Sequence, residues 1–555
     1  MEMEKVYRTD LLLCCCTMCV SVGALRVRDA LEGELKKHKL DEEIRIVPVG
    51  TSWLCTRGPT LIVQPDGVVY QNLKPEDIPF LVVEHLLKGR PVRSLMYVHP
   101  LERAPVPKLH DIPFYAKQRL IALWNRGLID PEKIEEYIAR DGYRSLANVL
   151  RYMTPEGVIE EIKRSGLRGR GGAGFPTGIK WELCRKNPGQ RKYIICNADE
   201  GDPGAFMDRS IIEADPHAIL EGMLIGAYAI GASKGYVYVR TEYPLAIKHM
   251  AIAIAQAEEY GILGDDMFGS GFSCRVEIRE GSGAFVCGEE TSLIHSIEGK
   301  IPEPRPRPPF PVQIGIWGCP TVINNVETLA TVPRILDRGG QWFASIGTDK
   351  SKGTKVFSVA GDVVSAGLVE IPMGMTLREI IYDICGGIPK EKRFKAVQIG
   401  GPAGGFLPGS LLDMPVDYES LQETGTIMGS GGMVVLSEER CVVDTARFFA
   451  DFLRDESCGK CSTCREGMQA VYEILAGICD GEGSPGDVGL LEELCEVIKD
   501  ASQCGLGQSA PKSVLTSLRY FRGEYEAHIR QKRCPAVVCR GIISSPCQFL
   551  CRLRT

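Results

Sequence analysis

Along the first hundred positions two rhythms of apolar and polar residues alternate. "LLLCCC" (11–16) is a short unbroken apolar run, the pattern of a buried strand, while "GALRVRDALEGELKKHKL" (23–40) repeats apolar residues every three to four positions, the pattern of an amphipathic helix. "IRIVPVG", then "PTLIVQPDGVVYQNL" with its Pro-Asp-Gly turn, then the helical "PEDIPFLVVEHLLKG" complete a small α/β unit over 1–105. A charged, proline-containing stretch, "HPLERAPVPKLHDIP", follows as a linker. From 115 to 350, strands such as "KYIICNADE" and "GYVYVRTEY" alternate with helices such as "HAILEGMLIGAYAIGA" and "PLAIKHMAIAIAQAEEYG", which predicts a layered α/β domain. Within it "IPEPRPRPPFPVQ" is too rich in proline for a helix and reads as an extended linker. Short strands and Gly-rich turns predict a β-rich insert over 353–435. Helical periodicity returns over 436–530, as in a bundle, and 531–555 is a cysteine-containing tail.

Composition narrows the function classes. A chain of 555 residues holds about three or four domains by the usual domain size. A net charge of −6 gives no electrostatic case for nucleic acid, and no apolar run is long enough to span a bilayer. The acidic start "MEMEKVYRTD" does not read as an export signal, so a cytoplasmic location with reduced thiols is expected. Against that background 22 cysteines point to metal or cluster binding rather than disulfides, although singles such as Cys196 and Cys385 read as packed core thiols.

Two stretches carry chemistry. In "GLRGRGGAGFPTGIKW", Gly169 to Gly174 fits G-x-G-x-x-G, but a helix (Thr154 as cap, Pro155 in the first turn) precedes it instead of a strand. Phe175-Pro-Thr-Gly178 behind it reads as a turn rather than a helix start. Glycines there let backbone N–H groups converge on a ligand, and a flexible loop and a ligand cradle both remain open. In "ESCGKCSTCREG" the run Cys458, Cys461, Cys464, with Cys504 downstream, has the spacing that holds a cubane [4Fe–4S] cluster; zinc is the alternative.

The glycine loop, "NADEGDPGAFMDR" (197–209), "GAFVCGEETSL" (283–293), "GCPTVINNVETLA" (318–330) and the cysteine set occur in that order over about 115–530. Together they resemble the NADH-oxidising flavoprotein subunit of respiratory complex I and of NAD-linked hydrogenases and formate dehydrogenases. The resemblance implies a multidomain α/β chain: a thioredoxin-like N-terminal domain, a Rossmann-like FMN and NADH domain, a small ubiquitin-like β-grasp insert, and a C-terminal helical bundle carrying the [4Fe–4S] cluster. It places Gly169, Arg170 and Gly171 at the FMN phosphate region with Lys180 on the flavin side. Asn197, Asp199, Glu200, Gly288, Glu289, Glu290, Asn324 and Asn325 would line the FMN, and Gly172, Ala173, Phe175 and Phe310 would flank the NADH. Asp202 stands where complex I subunits usually carry Glu, and Phe285 where many carry Tyr. No catalytic side chain is expected, since hydride transfer runs on FMN. Glu289 and Glu290 read equally well as N-caps of the helix that follows.

The N-terminal unit resembles a thioredoxin-like [2Fe–2S] domain. Cys14 and Cys19 match its first pair and Cys55 its last ligand, but Thr51 stands where the remaining cysteine belongs. Either Cys15 or Cys16 substitutes, or the domain is degenerate and holds no cluster. In the tail, Cys479 (or Cys495), His528, Cys534 and Cys539 could form a structural zinc site. The two-cluster ferredoxin domain with which hydrogenase β-subunits often continue is not expected from Cys547 and Cys551 alone. The expected partners are a small [2Fe–2S] subunit and a large multi-cluster catalytic subunit. A non-catalytic scaffold or relay is the alternative.

Overall fold

The computed structural model describes residues 6–51, 55–98 and 104–542. The N-terminal unit is built on strands β1 (Thr9–Cys14), β2 (Ile44–Val49), β3 (Leu61–Gln64) and β4 (Val68–Tyr70), in the order β2-β1-β3-β4. β1 and β2 run parallel and the rest antiparallel. A parallel pair needs a crossover, supplied by helices α1 (Thr17–Ser21) and α2 (Ala24–Lys37); α2 buries Val27, Leu31 and Leu35 on one face.

Helices α3 (Pro155–Ser165) and α4 (Thr177–Lys186) flank the glycine loop. Thr154 caps α3, its hydroxyl accepting from Gly157 N at 3.1 Å, and Gly166 ends it in the left-handed region. The expected turn after Phe175 is instead the start of α4. Pro176 precedes its first residue at φ −61°, and Thr177, Trp181 and Cys184 form the buried face. The loop therefore joins helix to helix.

Behind it stand four parallel strands, β5 (Tyr193–Ala198), β6 (Lys234–Arg240), β7 (Arg275–Gly281) and β8 (Thr321–Asn325), in the order β8-β5-β6-β7. Strand order reverses between β5 and β8, where Asn325 pairs with Asn197 at the carboxyl ends. Such a switch point is where open α/β sheets bind ligands. The nearly all-apolar helix α5 (Pro216–Ile230) and helix α6 (Val326–Arg338) pack against each other here, and α5 is buried over nearly its whole length.

The 353–435 region forms a five-stranded sheet: β9 (Thr354–Gly361), β10 (Gly367–Pro372), β11 (Phe394–Ile399), β12 (Gly405–Pro408) and β13 (Gly432–Ser437), ordered β10-β9-β13-β11-β12. Its central pair, β9 and β13, is parallel. A buried ion pair, Lys355 with Glu327, joins β9 to α6, and Glu327 also accepts from Val356 N at 2.8 Å. The C-terminal region is helical: α7 (Val442–Asp455), α8 (Ser462–Asp480), α9 (Asp487–Ala501) and α10 (Lys512–Arg530) enclose one apolar core. Among the described residues no helix is long and apolar enough to cross a membrane.

Candidate functional site

A cavity of about 840 Å³ opens at the carboxyl ends of β5 and β8, within the size range of ligand pockets. The glycine loop forms one wall. Gly171 faces Asn325, whose Cβ would lie 3.1 Å from any Cβ added at Gly171. Gly172 has φ +123° and lies against the Gly429 backbone, so both the backbone conformation and the space call for glycine. The loop is held from outside. Tyr418 Oη donates to Gly169 O at 2.8 Å, and Arg168 stacks over the Tyr418 ring while pairing with Glu419 at 2.6 Å.

Of the loop residues singled out in the sequence, Gly169, Gly171, Gly172, Ala173 and Phe175 line the cavity, as does Lys180 on α4. Arg170 does not. Its side chain is buried away from the cavity, donating to Lys352 O at 2.7 Å and Arg168 O at 3.2 Å, and its N–H goes to Thr328 Oγ1. Of the three residues expected at the FMN phosphate region, Arg170 alone does not line the cavity: the backbone turns its guanidinium inward, where it braces the loop.

Lys180 Nζ donates to Glu290 Oε1 at 2.7 Å and to Ile323 O at 3.1 Å. Glu289 is an N-cap, accepting from Thr291 N at 2.8 Å and Ser292 N at 3.1 Å, at the start of the helix Glu290–Ile297. Asn324 accepts from the Trp181 indole at 2.9 Å, and Asn325 donates to Asp208 at 2.6 Å. Asn197 Nδ2 donates to Gly288 O at 3.0 Å, joining two lining segments.

Three carboxylates of "NADEGD" line the cavity, and burial raises the pKa of each. Asp199 is pushed up to about 7 although Arg240 opposes this. Glu200 is pushed up to about 7 despite accepting from Arg209 N and Asp208 N at 3.1 Å. Asp202, hydrogen-bonded to Ser430, is pushed up to about 6. Both oxygens of Asp199 are buried without a hydrogen bond among the described residues, and Arg240 Nη1, 3.8 Å away, is unsatisfied too. An orphaned carboxylate on a cavity wall suits a ligand bearing hydroxyl groups, such as a ribityl chain or a ribose. The glycine cradle, the Lys180 cation and these carboxylates together fit FMN and a nicotinamide nucleotide.

The proline-rich stretch is more than a linker. Arg307, Phe310, Pro311, Val312 and Gln313 close the cavity mouth, where Phe175 and Phe310 are 45% and 48% exposed. Pro304 O accepts from Lys460 Nζ at 3.1 Å and Gln503 Nε2 at 3.4 Å, tying this wall to the cysteine loops. The opposite wall includes Gly400, Ala403, Ile427, Gly429 and Ser430 from the 353–435 region. Sequence reasoning did not select those residues, because nothing local marks a loop that acts at a distance.

Cys458, Cys461, Cys464 and Cys504 converge. Cys461 caps α8, Cys464 lies in its first turn, and Cys504 caps the short helix Gly505–Ser509. The other three thiols all act electrostatically on Cys464. Gly505, Leu506 and Ser509 also line the cavity, so one short segment borders both sites. Four thiols converging at helix N-termini fit a cubane.

A second group brings Cys441, His528, Cys534 and Cys539 together, all buried, with ligand atoms within 4.8 Å of one another. His528 Nε2 is 3.4 Å from both Cys441 Sγ and Cys539 Sγ, and its Nδ1 faces Glu524 O at 2.7 Å. The expected Cys479 interacts with Cys539 but is outside the four, and Cys495 is a buried core thiol. The fourth member is Cys441 at the start of α7, 87 residues from His528. A third group is Cys14, Cys16 and Cys19, also buried and within 4.8 Å. The side chain of Cys55, and Cys547 and Cys551, lie outside the described residues.

Residues 162–334 match the Nuo51 FMN-binding domain, 444–528 the iron-sulfur binding region of NADH-ubiquinone oxidoreductase-F, and 356–407 the SLBB domain. The chain is 56% identical over 428 residues to HndC, a subunit of the NADP-reducing hydrogenase of Solidesulfovibrio fructosivorans, covering 77% of this chain and 87% of that one. It is 46% identical over 415 residues to a subunit of an NADH-quinone oxidoreductase of Rhizobium meliloti, covering 75% and 99%. A crystal structure of an NAD+-reducing [NiFe]-hydrogenase in the air-oxidized state superposes with a TM-score of 0.66 at 30% identity, covering 95% of this chain and 86% of that one.

Proposed function

We infer the roles of individual residues from one premise: the chain belongs to the family of FMN-binding, iron–sulfur flavoprotein subunits of NADH-quinone oxidoreductases and NAD-reducing hydrogenases. It is an NADH dehydrogenase flavoprotein subunit that binds NAD(H) and FMN and carries a [4Fe–4S] domain. FMN supplies, when bound, the exchange of a hydride pair for single electrons, and the cluster supplies the one-electron path onward.

The chain's own residues bind, orient and exclude water. Backbone N–H groups of Gly171 and Gly172 approach the ligand where no side chain intervenes, while Gly169 N donates to Phe175 O at 2.9 Å and closes the loop. Lys180, held by Glu290, offers its cation to the flavin side. Asn197, Asp199, Glu200, Asp202, Gly288, Glu289, Asn324 and Asn325 form the inner wall, and Asp199 takes hydroxyl donors. Phe175 and Phe310 stack from the mouth, with Ala173 beside them. Cys458, Cys461, Cys464 and Cys504 hold the cluster, and Gly505 and Leu506 shorten the path between the two sites. Cys441, His528, Cys534 and Cys539 hold a structural zinc that fastens the segment after α10 to the start of α7.

The domain layout that goes with these roles is thioredoxin-like over 1–105, Rossmann-like over 115–350, β-grasp over 353–435 and a cluster-bearing bundle over 436–530; the parallel central pair of the third sheet supports the β-grasp reading. The proposed partners are a small two-iron subunit and a large multi-cluster subunit, in the cytoplasm. One observation carries the reading: the glycine-lined cavity and the four-cysteine site share the Gly505–Ser509 wall. Flavin absorbance that NADH bleaches supports it; a purified chain with neither flavin nor NADH-dependent dye reduction favours the scaffold.

A further inference from the structure

Thr51 denies the N-terminal unit one of the thiolates that its resemblance to a two-iron ferredoxin domain calls for, and two neighbouring cysteines, Cys15 and Cys16, compete to replace it. The fold separates them. At the end of β1, Cys15 donates its N–H to Val49 O at 2.9 Å, and its side chain packs on the main N-terminal core beside Leu11, Leu13 and Val27. Cys16 points elsewhere. It forms a small buried cluster with Cys14, Cys19 and Ala24, with Cys14 Sγ 3.6 Å from Cys16 Sγ. Two thiolates on one tetrahedral metal ion, with bonds of about 2.3 Å, stand about 3.8 Å apart. The pair is therefore spaced to share one iron of a cluster.

The site is also braced from outside its own domain. Cys16 is the N-cap of α1 but makes no side-chain capping hydrogen bond to that helix. Glu213, from the helix Met207–Ala214 of the flavin-binding region, does so instead. It accepts from Thr17 N at 3.0 Å and from Thr17 Oγ1 at 2.5 Å. Gly50, whose carbonyl lies 3.3 Å from Cys14 Sγ, approaches so closely that an added Cβ would stand 2.3 Å from Ala214 Cα. Glu213 thus takes the capping role at α1 and fixes the turn that carries Cys16.

We propose that Cys16 supplies the thiolate that Thr51 lacks, joining Cys14 and Cys19 as ligands of an N-terminal two-iron cluster. The inference rests on the two-iron reading of this domain. Two iron ions bridged by sulfide need thiolate ligands, and a threonine hydroxyl, far less acidic than a thiol, is a poor substitute.

The test uses the full chain, reconstituted anaerobically with iron and sulfide, and compares the unmodified protein with Cys16→Ser, Cys15→Ser and the double variant Cys16→Ser/Thr51→Cys. Iron and sulfide per chain are measured, with paramagnetic resonance to separate two-iron from four-iron signals. Cys16→Ser is expected to lose about two irons per chain and the two-iron signal, with flavin content and the four-iron signal unchanged as the folding control. Cys15→Ser keeps both, and the double variant regains the lost signal. A two-iron signal that survives Cys16→Ser, or vanishes in Cys15→Ser, overturns the assignment. An unmodified chain with no two-iron signal overturns instead the two-iron reading on which it rests.

Discussion

Lys180 Nζ lies 2.7 Å from Glu290 Oε1, a pairing of residues 110 positions apart that puts a cation and a carboxylate side by side on the cavity wall. Both side chains are partly buried, so salt screens the pair less than it would an exposed one.

Lys180→Ala would leave Glu290 only the more distant Arg307, at 3.8 Å, and remove the cation offered to the flavin. A hydrogen bond to a charged group is worth about 1.5–3 kcal/mol, so flavin affinity is expected to fall about tenfold or more. Flavin retained per chain after dialysis measures this, with cluster iron as the control. Full retention would place the lysine outside the binding determinants.

Gly171→Val would set a branched side chain against Asn325, whose Cβ is already 3.1 Å from where a Cβ at residue 171 would stand. NADH-dependent dye reduction is expected to be lost while the four-iron signal stays. Wild-type dye reduction would show that the ligand does not approach this backbone.

Cys461→Ser is expected to abolish or cripple the four-iron signal and electron delivery to partner subunits, while NADH still bleaches the flavin. Rapid mixing followed by absorbance and paramagnetic resonance separates the two effects. An unaltered cluster signal would remove Cys461 from the ligand set.

Zinc analysis distinguishes Cys441 from Cys479. Cys441→Ser is expected to lose about one zinc per chain and several degrees of Tm, because a structural zinc contributes folding energy. Cys479→Ser keeps the metal, since Cys479 is outside the four-atom group. The opposite pattern would restore the assignment that the sequence suggested.

Asp215 provides a pH test. It accepts from Asn125 Nδ2 at 2.8 Å and Ala218 N at 3.1 Å, but burial still raises its pKa from 3.8 to about 7. With the folded value above the unfolded one, its contribution to stability is full below the unfolded pKa and is lost as pH rises through the folded pKa. Asp215→Asn, which cannot ionise, should therefore trail the unmodified chain by more at about pH 4 than at about pH 8 in thermal melts. A gap that widens with pH would contradict the sign.

What was legible in the sequence was local. Strand and helix periodicity marked β1, α2, β5, β6 and α5, because burial of one face writes itself into neighbouring positions. Cys458, Cys461 and Cys464 were legible for the same reason: a tight turn brings residues three apart to one metal. The Thr154 cap and the glycine loop were read from contiguous residues too, but the start of α4 was missed, where Pro176 looked like a turn but leads into a helix.

Tertiary structure decided what depends on direction and distance. Which way Arg170 points, and which of Cys15 and Cys16 shares a pocket with Cys14, follow from how the loop and β1 pack, and adjacent residues in an extended strand face opposite sides. Cys441 joins His528 only because α7 and α10 lie side by side, and Glu213 caps a helix that starts 196 residues before it. The cavity walls from Gly400, Gly429 and the proline-rich stretch come from segments far apart in the chain. Such contacts leave no period and no spacing in the sequence, because they are fixed by the packing of whole layers rather than by the residues on either side.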